Sequence, residues 1–452
     1  MTKGPILKTL TKLAIPIMAS SFLGTLYNIT DMAWIGRLGS KAVAGVGVGG
    51  MYIWLSQGLA SMARMGGQVQ VAQCIGRGDR EAARGYAQTA VQLATVLGLA
   101  FSAICVIFLH PLVDFFKLTD PEALEAAFSY TLVACGLLVF SFLTLTLTGL
   151  YTAQGDSKTP FVANFIGLVT NMILDPVLIL GPGPFPKLGA VGAAIATVIA
   201  QFVSFLWVVR FYRGPLALLR VRPRFLPPRG DLVRRIVILG SSPAFMISTE
   251  GILLLSFNTQ LARFGGDIAV GAMAILASIF QLVLLPMIGI YQGAQPIVSF
   301  NYGSGDYGRV KETIWLAGKA TLLYSLICTC LLVAFPRFFV SLFTPDQALV
   351  EQAAPMLRLY ICGCFFLGMT IVSQDSYNAL GDGKLSLFFA FFRKGMLLIP
   401  LIYILPGFAE DRVCAVIAAE PVSDIIASLA STVYFVHYVK KKLSPRPSSS
   451  EI

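Results

Sequence analysis

Twelve apolar runs follow one another along the 452 residues, near 13–36, 43–65, 87–110, 128–152, 160–181, 188–212, 234–262, 268–300, 314–343, 353–380, 386–406 and 412–438. A run of about 20 apolar residues is long enough to cross the roughly 30 Å hydrocarbon layer as a helix. In lipid only a helix or a closed barrel satisfies its own backbone polar groups. The connections between runs are short and leave no room for a large water-facing domain. Charged residues make up only 13% of the chain and its mean hydropathy is +0.76, whereas about a quarter of a soluble protein is charged. A soluble enzyme, a disordered chain and a secreted disulfide scaffold are thereby excluded. The expected fold class is an all-α membrane protein with twelve transmembrane helices.

The net charge of +11 does not point to nucleic acid, because the basic residues sit between apolar runs and not on one polar face. Eight of the 34 Lys and Arg fall on one side of the predicted layer: Arg37, Lys41, Lys117, Lys187, Arg263, Arg337, Arg358 and Arg412. The rest fall on the other side, counting Arg393 and Lys394, which lie inside the eleventh run. The basic side faces the cytoplasm, so the chain is expected in the cell (inner) membrane with both termini cytoplasmic. The longest break, 213–233, carries Arg213, Arg220, Arg222, Arg224 and Arg229 among four prolines and reads as a cytoplasmic linker. It separates an expected N-lobe, 1–212, from a C-lobe, 234–440, with a cytoplasmic tail at 441–452. The eight cysteines lack metal-ligand spacing, and His110 and His437 stand alone at run ends. No phosphate-binding loop, nucleophile elbow or zinc motif is present. The expectation is no cofactor, no enzymatic site and no ATP site.

The chain repeats itself at half its length. GGQVQVAQCIGRGD at 66–79 aligns with GAQPIVSFNYGSGD at 293–306, with six identities at an offset of 227. Average composition predicts about one. The same offset pairs Pro16 with Pro243, Gly39 with Gly266, Cys135 with Cys362 and Gly136 with Gly363, and an offset of 226 pairs YTAQGDSK at 151–158 with YNALGDGK at 377–384. Two homologous six-helix lobes follow. Because six is even, they share one topology, which implies a pseudo-two-fold axis along the membrane normal and a central cleft. That plan suits alternating access.

Taken in order, IPIMASSFLGTLYNITDMAWIGRLG at 15–39, GGQVQVAQCIGRGD, YTAQGDSKTPFVANFIGLVTNMILDPVLILG at 151–181, QPIVSFNYGSGD and YNALGDGK resemble the MATE (multidrug and toxic compound extrusion) family over about 1–440. The loop IGRGDREAARGY does not fit the motif of the major facilitator superfamily, the other large twelve-span class. The resemblance implies a secondary exporter of small lipophilic organic cations, working by antiport with H⁺ or Na⁺. It needs only membrane lipid as its surroundings and is expected to be monomeric. A flippase for lipid-linked oligosaccharide, in the same superfamily, is the alternative.

An ionisable residue at mid-membrane costs at least about 2.5–3.5 kcal/mol and needs a function or a partner. Asp31 has Tyr27 and Asn28 on its helical face, and Asp175 has Asn171 one turn before it and Pro176 after it. Thr197 in the sixth run completes the group. These residues offer only oxygen and amide ligands, which suits H⁺ or a hard cation such as Na⁺ at Asp31 and Asp175. By the resemblance, Asp31, Asn171, Asp175 and Thr197 form a cation site, and Pro16 accompanies bending of the first helix. The repeat partners of Asp31 and Asp175 are Asn258 and Leu401, so coupling is expected in the N-lobe. Glu250, with Asp375 as partner, is a second candidate pair, and its counterpart serves in the C-lobe of one bacterial branch of the family. Arg393 and Lys394 are available to pair with such acids, while Glu420 and Asp424, one turn apart, read as a wetted face near a helix end. Tyr27, Asn28, Met32 and Gln292 are the candidate substrate contacts, since aromatic faces and adaptable methionines suit flat cations.

Overall fold

The computed structural model describes residues 4–181, 186–212 and 229–444, and among these residues there are helices and turns but no strand. The first three long helices are α1 (Ile6–Gly36), α2 (Ser40–Gly76) and α3 (Arg80–Ile107). The fourth, α4, is a bent pair, Pro121–Gly136 and Val139–Ala153, with 45° between its halves. Next come α5 (Lys158–Leu180) and α6 (Gly189–Tyr212). The stretch Gly230–Ser304 is continuous in hydrogen bonding over 75 residues. A straight helix of that length would be roughly 110 Å long, several times a bilayer core. Gly266, at φ 64° and ψ −163°, divides it into α7 (230–265) and α8 (267–304). The chain continues as α9 (Tyr307–Ala334), the bent pair α10 (Gln347–Ile361 and Cys364–Ala379, 42°), α11 (Gly383–Gly407) and α12 (Arg412–Lys442). With each bent pair taken as one span, twelve membrane helices match the twelve apolar runs. Most of the linker at 213–233, with four of its five arginines, and most of the tail at 441–452 lie outside the described residues.

The half-length repeat is written into the backbone. Gly78 and Gly305 both take a positive φ, 81° and 79°, a conformation that only glycine adopts without strain. The aspartates that follow them cap the next helices in the same way. Asp79 accepts from the Ala82 amide at 2.9 Å and Asp306 from the Arg309 amide at 3.0 Å, satisfying orphan N–H groups of α3 and α9. The breaks in α4 and α10 fall at the repeated Cys135–Gly136 and Cys362–Gly363. Two homologous six-helix halves are thus visible in turns, caps and bends alike.

The compact units do not follow the linker. One, here the N-unit, runs from Ala19 to Ile247; the other, the C-unit, combines the residues up to Met18 with those from Ser248 onward. The sequence-drawn lobes at 1–212 and 234–440 therefore differ from the packing units by an exchange of helix ends. The first part of α7 packs in the N-unit and the first part of α1 in the C-unit. Each crossover lies just after a repeated proline, Pro16 or Pro243. The physical reason lies at the glycines of the repeat. Apolar association gains nothing from lipid, so membrane helices pair where small residues let backbones meet. A Cβ on Gly66 of α2 would stand 2.1 Å from the Ile236 carbonyl oxygen of α7, and one on Gly240 would stand 2.1 Å from the Met62 carbonyl oxygen. In the C-unit, a Cβ on Gly293 of α8 would stand 2.7 Å from the Ala14 Cα of α1, and one on Gly289 would stand 2.4 Å from the Met18 side chain. Around these contacts Val71, Leu150, Val208 and Ile236 form one buried N-unit cluster, and Leu13, Ala14, Tyr291 and Ile297 one C-unit cluster.

Candidate functional site

In the N-unit, α5 presents Asn171 and Asp175 one turn apart on a buried face. The Asn171 amide donates to Asp175 Oδ1 at 3.0 Å, as the i,i+4 spacing predicts. Helix α1 adds Tyr27 and Asp31, and α6 adds Thr197. Asp31 is buried and near enough to act electrostatically on Asp175, and the Tyr27 hydroxyl lies beside Thr197 in the field of both carboxylates. The structure therefore brings Asp31, Asn171, Asp175, Thr197 and Tyr27 together. Five buried oxygens of this group have no hydrogen-bond partner: Tyr27 Oη, Asp31 Oδ1, Asn171 Oδ1, Asp175 Oδ2 and Thr197 Oγ1. Among the described residues neither aspartate meets a basic side chain within ion-pair distance. The donor set fits a proton or a hard monovalent cation. No cluster of three His, Cys, Asp or Glu placed to hold a metal occurs among the described residues.

Tyr130 of α4 is a further wall of this group. It is buried, and its ring feels the charges of Asp31 and Asp175. Gly49 of α2 makes room for it, since a Cβ there would lie 2.5 Å from the ring. Sequence reasoning missed Tyr130 because it stands in an ordinary apolar run without an acid or amide on its face. Asn28 and Met32 are exposed on α1. Gln292 belongs to the C-unit, is partly buried and has interactions of its own.

The C-unit acids are arranged differently from expectation. Glu420 and Asp424 are not a wetted face: they are 4% and 0% exposed. Arg393 holds both, donating from Nη2 to Glu420 at 2.9 Å and from Nε to Asp424 at 2.6 Å. A buried carboxylate pair without a cation would be prohibitive, and the guanidinium fork meets that need. Glu250 does not pair with Asp375 but with the ammonium of Lys394. Asp375 lies instead in the neighbourhood of Tyr291, whose hydroxyl bonds Ser376. The prior availability of Arg393 and Lys394 is realised, with the partners sorted between α12 and α7.

The sequence profile of the MatE family matches residues 16–177 and 244–404, one match in each half. A probable multidrug resistance protein NorM from Thermotoga maritima is 27% identical over 383 residues, which cover 83% of this chain and 81% of that protein. A probable multidrug resistance protein YoeA from Bacillus subtilis is 23% identical over 98% of this chain and 96% of its own. Among solved structures, a MATE protein in a bent conformation superposes with a TM-score of 0.90 at 20% identity, covering 97% of this chain and 96% of that one. A MOP superfamily transporter from Pyrococcus furiosus, described as having a binding pocket of reverse polarity that suggests a different function, superposes at 0.89 and 20% identity over 98% of this chain and 97% of that one. With family matches in both halves covering most of the chain, and with a twelve-helix, twice-repeated fold to carry them, this protein belongs to the MatE family.

Proposed function

We propose that the protein is an ion-coupled multidrug exporter of the cell membrane. Small lipophilic organic cations are its substrates, H⁺ or Na⁺ is its driving ion, and Asp31 with Asp175 is its coupling site. The observation that carries this reading is a contrast. Three acids of the C-unit, Glu250, Glu420 and Asp424, have resident cations in Lys394 and Arg393. The N-unit acids are buried, adjacent and left with unpaired oxygens. Two carboxylates in one apolar site cannot both remain charged without a counter-ion, so this is where an imported proton or sodium ion is most strongly bound. Asn171 orients Asp175, and Thr197 and Tyr27 supply neutral oxygens. The relatives named as multidrug resistance proteins support the substrate class.

In the cycle, the outward-facing protein takes up an ion at Asp31 and Asp175. The neutralised cluster lets α1 repack beyond Pro16, and the organic cation leaves. The protein then turns inward, releases the ion to the cytoplasm and accepts the next cation. Ion and drug must favour different states for this exchange to be driven. The protein acts as a monomer with both termini cytoplasmic.

The test is ethidium efflux from proteoliposomes under an imposed pH or Na⁺ gradient. Efflux driven by one gradient in the wild type and lost in Asp31→Asn is expected. Undiminished efflux in Asp31→Asn would remove the coupling role from the N-unit. Absence of wild-type efflux under both gradients would favour the flippase for lipid-linked oligosaccharide.

A further inference from the structure

Between Phe392 and Leu398, α11 widens into a π-helical turn, a feature often found where a helix serves a site. Successive residues of an α-helix point about 100° apart. Here Arg393 and Lys394 are nevertheless both buried and reach different helices, Arg393 to α12 and Lys394 to Glu250 of α7. The Arg393 guanidinium already serves Glu420 and Asp424, so Glu250 falls to Lys394. That ion pair is asymmetric: the Lys394 side chain is 2% exposed and that of Glu250 is 52% exposed. One side of the carboxylate is open, and its inner side is filled by an ammonium on a tether.

We propose that Lys394 is a built-in cation: its ammonium holds, at Glu250, the position an external monovalent cation would otherwise take. The C-unit then carries its counter-ion permanently and binds no alkali ion at Glu250. Three observations support this. The charge is delivered by a distortion of α11 that places two consecutive basic side chains inside the unit. The acids near by are divided between the two cations, Arg393 taking those of α12 and Lys394 that of α7. The ammonium comes from the closed side, so its removal leaves a volume beside a carboxylate that stays open to entry. The inference is independent of the N-unit reading, because it concerns occupancy at Glu250 and not the dependence of export on Asp31.

The test uses the purified full-length protein in detergent, with thermal unfolding followed in choline chloride, sodium chloride and propylammonium chloride. Wild type and Glu250→Gln should respond alike to Na⁺, since any Na⁺ bound in the N-unit contributes equally to both. Lys394→Ala should melt lower in choline and gain about 5 °C from saturating Na⁺ or propylammonium. The double variant Glu250→Gln/Lys394→Ala should gain no more than the wild type. If Lys394→Ala is recovered only when purified in propylammonium, that too supports the proposal. If it is not recovered in any of the three salts, Lys394→Gln, which keeps a hydrogen-bond donor, takes its place in the same comparison. A Lys394 variant whose Na⁺ and propylammonium responses equal those of the wild type overturns the proposal. So does a wild-type Na⁺ response that disappears in Glu250→Gln, because an external ion would then already occupy the site.

Discussion

At the scale of single residues, the two halves answer the same problem, acids in a membrane, in opposite ways. Asp31 and Asp175 have amide and hydroxyl neighbours, whereas Glu250, Glu420 and Asp424 have a lysine and an arginine. Removing Arg393 strands two fully buried carboxylates, so Arg393→Ala should cost about 3–5 kcal/mol, read as a lower thermal midpoint. Glu420→Gln, which leaves Arg393 its bond to Asp424, should cost less. Equal midpoints for the two variants would mean that the guanidinium is not what holds this cluster. In the N-unit, Asp175→Asn should abolish gradient-driven efflux yet leave the midpoint near that of the wild type, because an asparagine still accepts from Asn171. Much of this was legible beforehand: Asp31, Asn171 and Asp175 stand out as polar residues at helical spacing in apolar runs. Tyr130 was not, because an aromatic in an apolar run gives no sign of what faces it. The burial of Glu420 and Asp424 was hidden for a related reason. An i,i+4 acid pair near a helix end reads the same whether it meets water or the arginine of another helix.

At the scale of elements, the repeat was readable as identities, and the structure supplies their causes. Gly78 and Gly305 turn the chain, Asp79 and Asp306 cap helices, and Gly66 and Gly293 admit a neighbouring backbone. The last role yields a sharp expectation. The atoms facing a Cβ at Gly66 are backbone atoms of Ile236, which cannot rotate away, so Gly66→Val should strongly reduce folded yield. Gly47 has open space around its Cβ direction, and Gly47→Ala should be tolerated. Size-exclusion profiles of the two variants check this, and a well-folded Gly66→Val would refute the close approach of α2 and α7. Asp79→Ala should cost about 1 kcal/mol through the lost cap. The exchange of helix ends between units was not legible, since hydropathy fixes where a helix runs but not which neighbours its first turns choose.

At the scale of the whole molecule, the positive-inside rule applied to twelve spans predicts that the termini and the even-numbered connections face the cytoplasm. In a background without the eight native cysteines, a cysteine at Lys117 should be labelled by an impermeant reagent from outside intact cells. One at Ser444 should be labelled only after the membrane is opened. The reverse pattern would invert the orientation and with it the direction of export. The chain is a twice-repeated membrane fold in which Asp31 and Asp175 of one half meet no basic side chain among the described residues, whereas Glu250, Glu420 and Asp424 of the other are paired with Lys394 and Arg393; the first two are the proposed site of an exchangeable ion. The most direct test of that claim is ion release on substrate binding. Ethidium is added to detergent-solubilised protein in weak buffer, with proton and Na⁺ release recorded for the wild type, Asp31→Asn and Asp175→Asn. The account predicts release of one ion species from the wild type and little or none from either variant. Release of equal size from all three would contradict it.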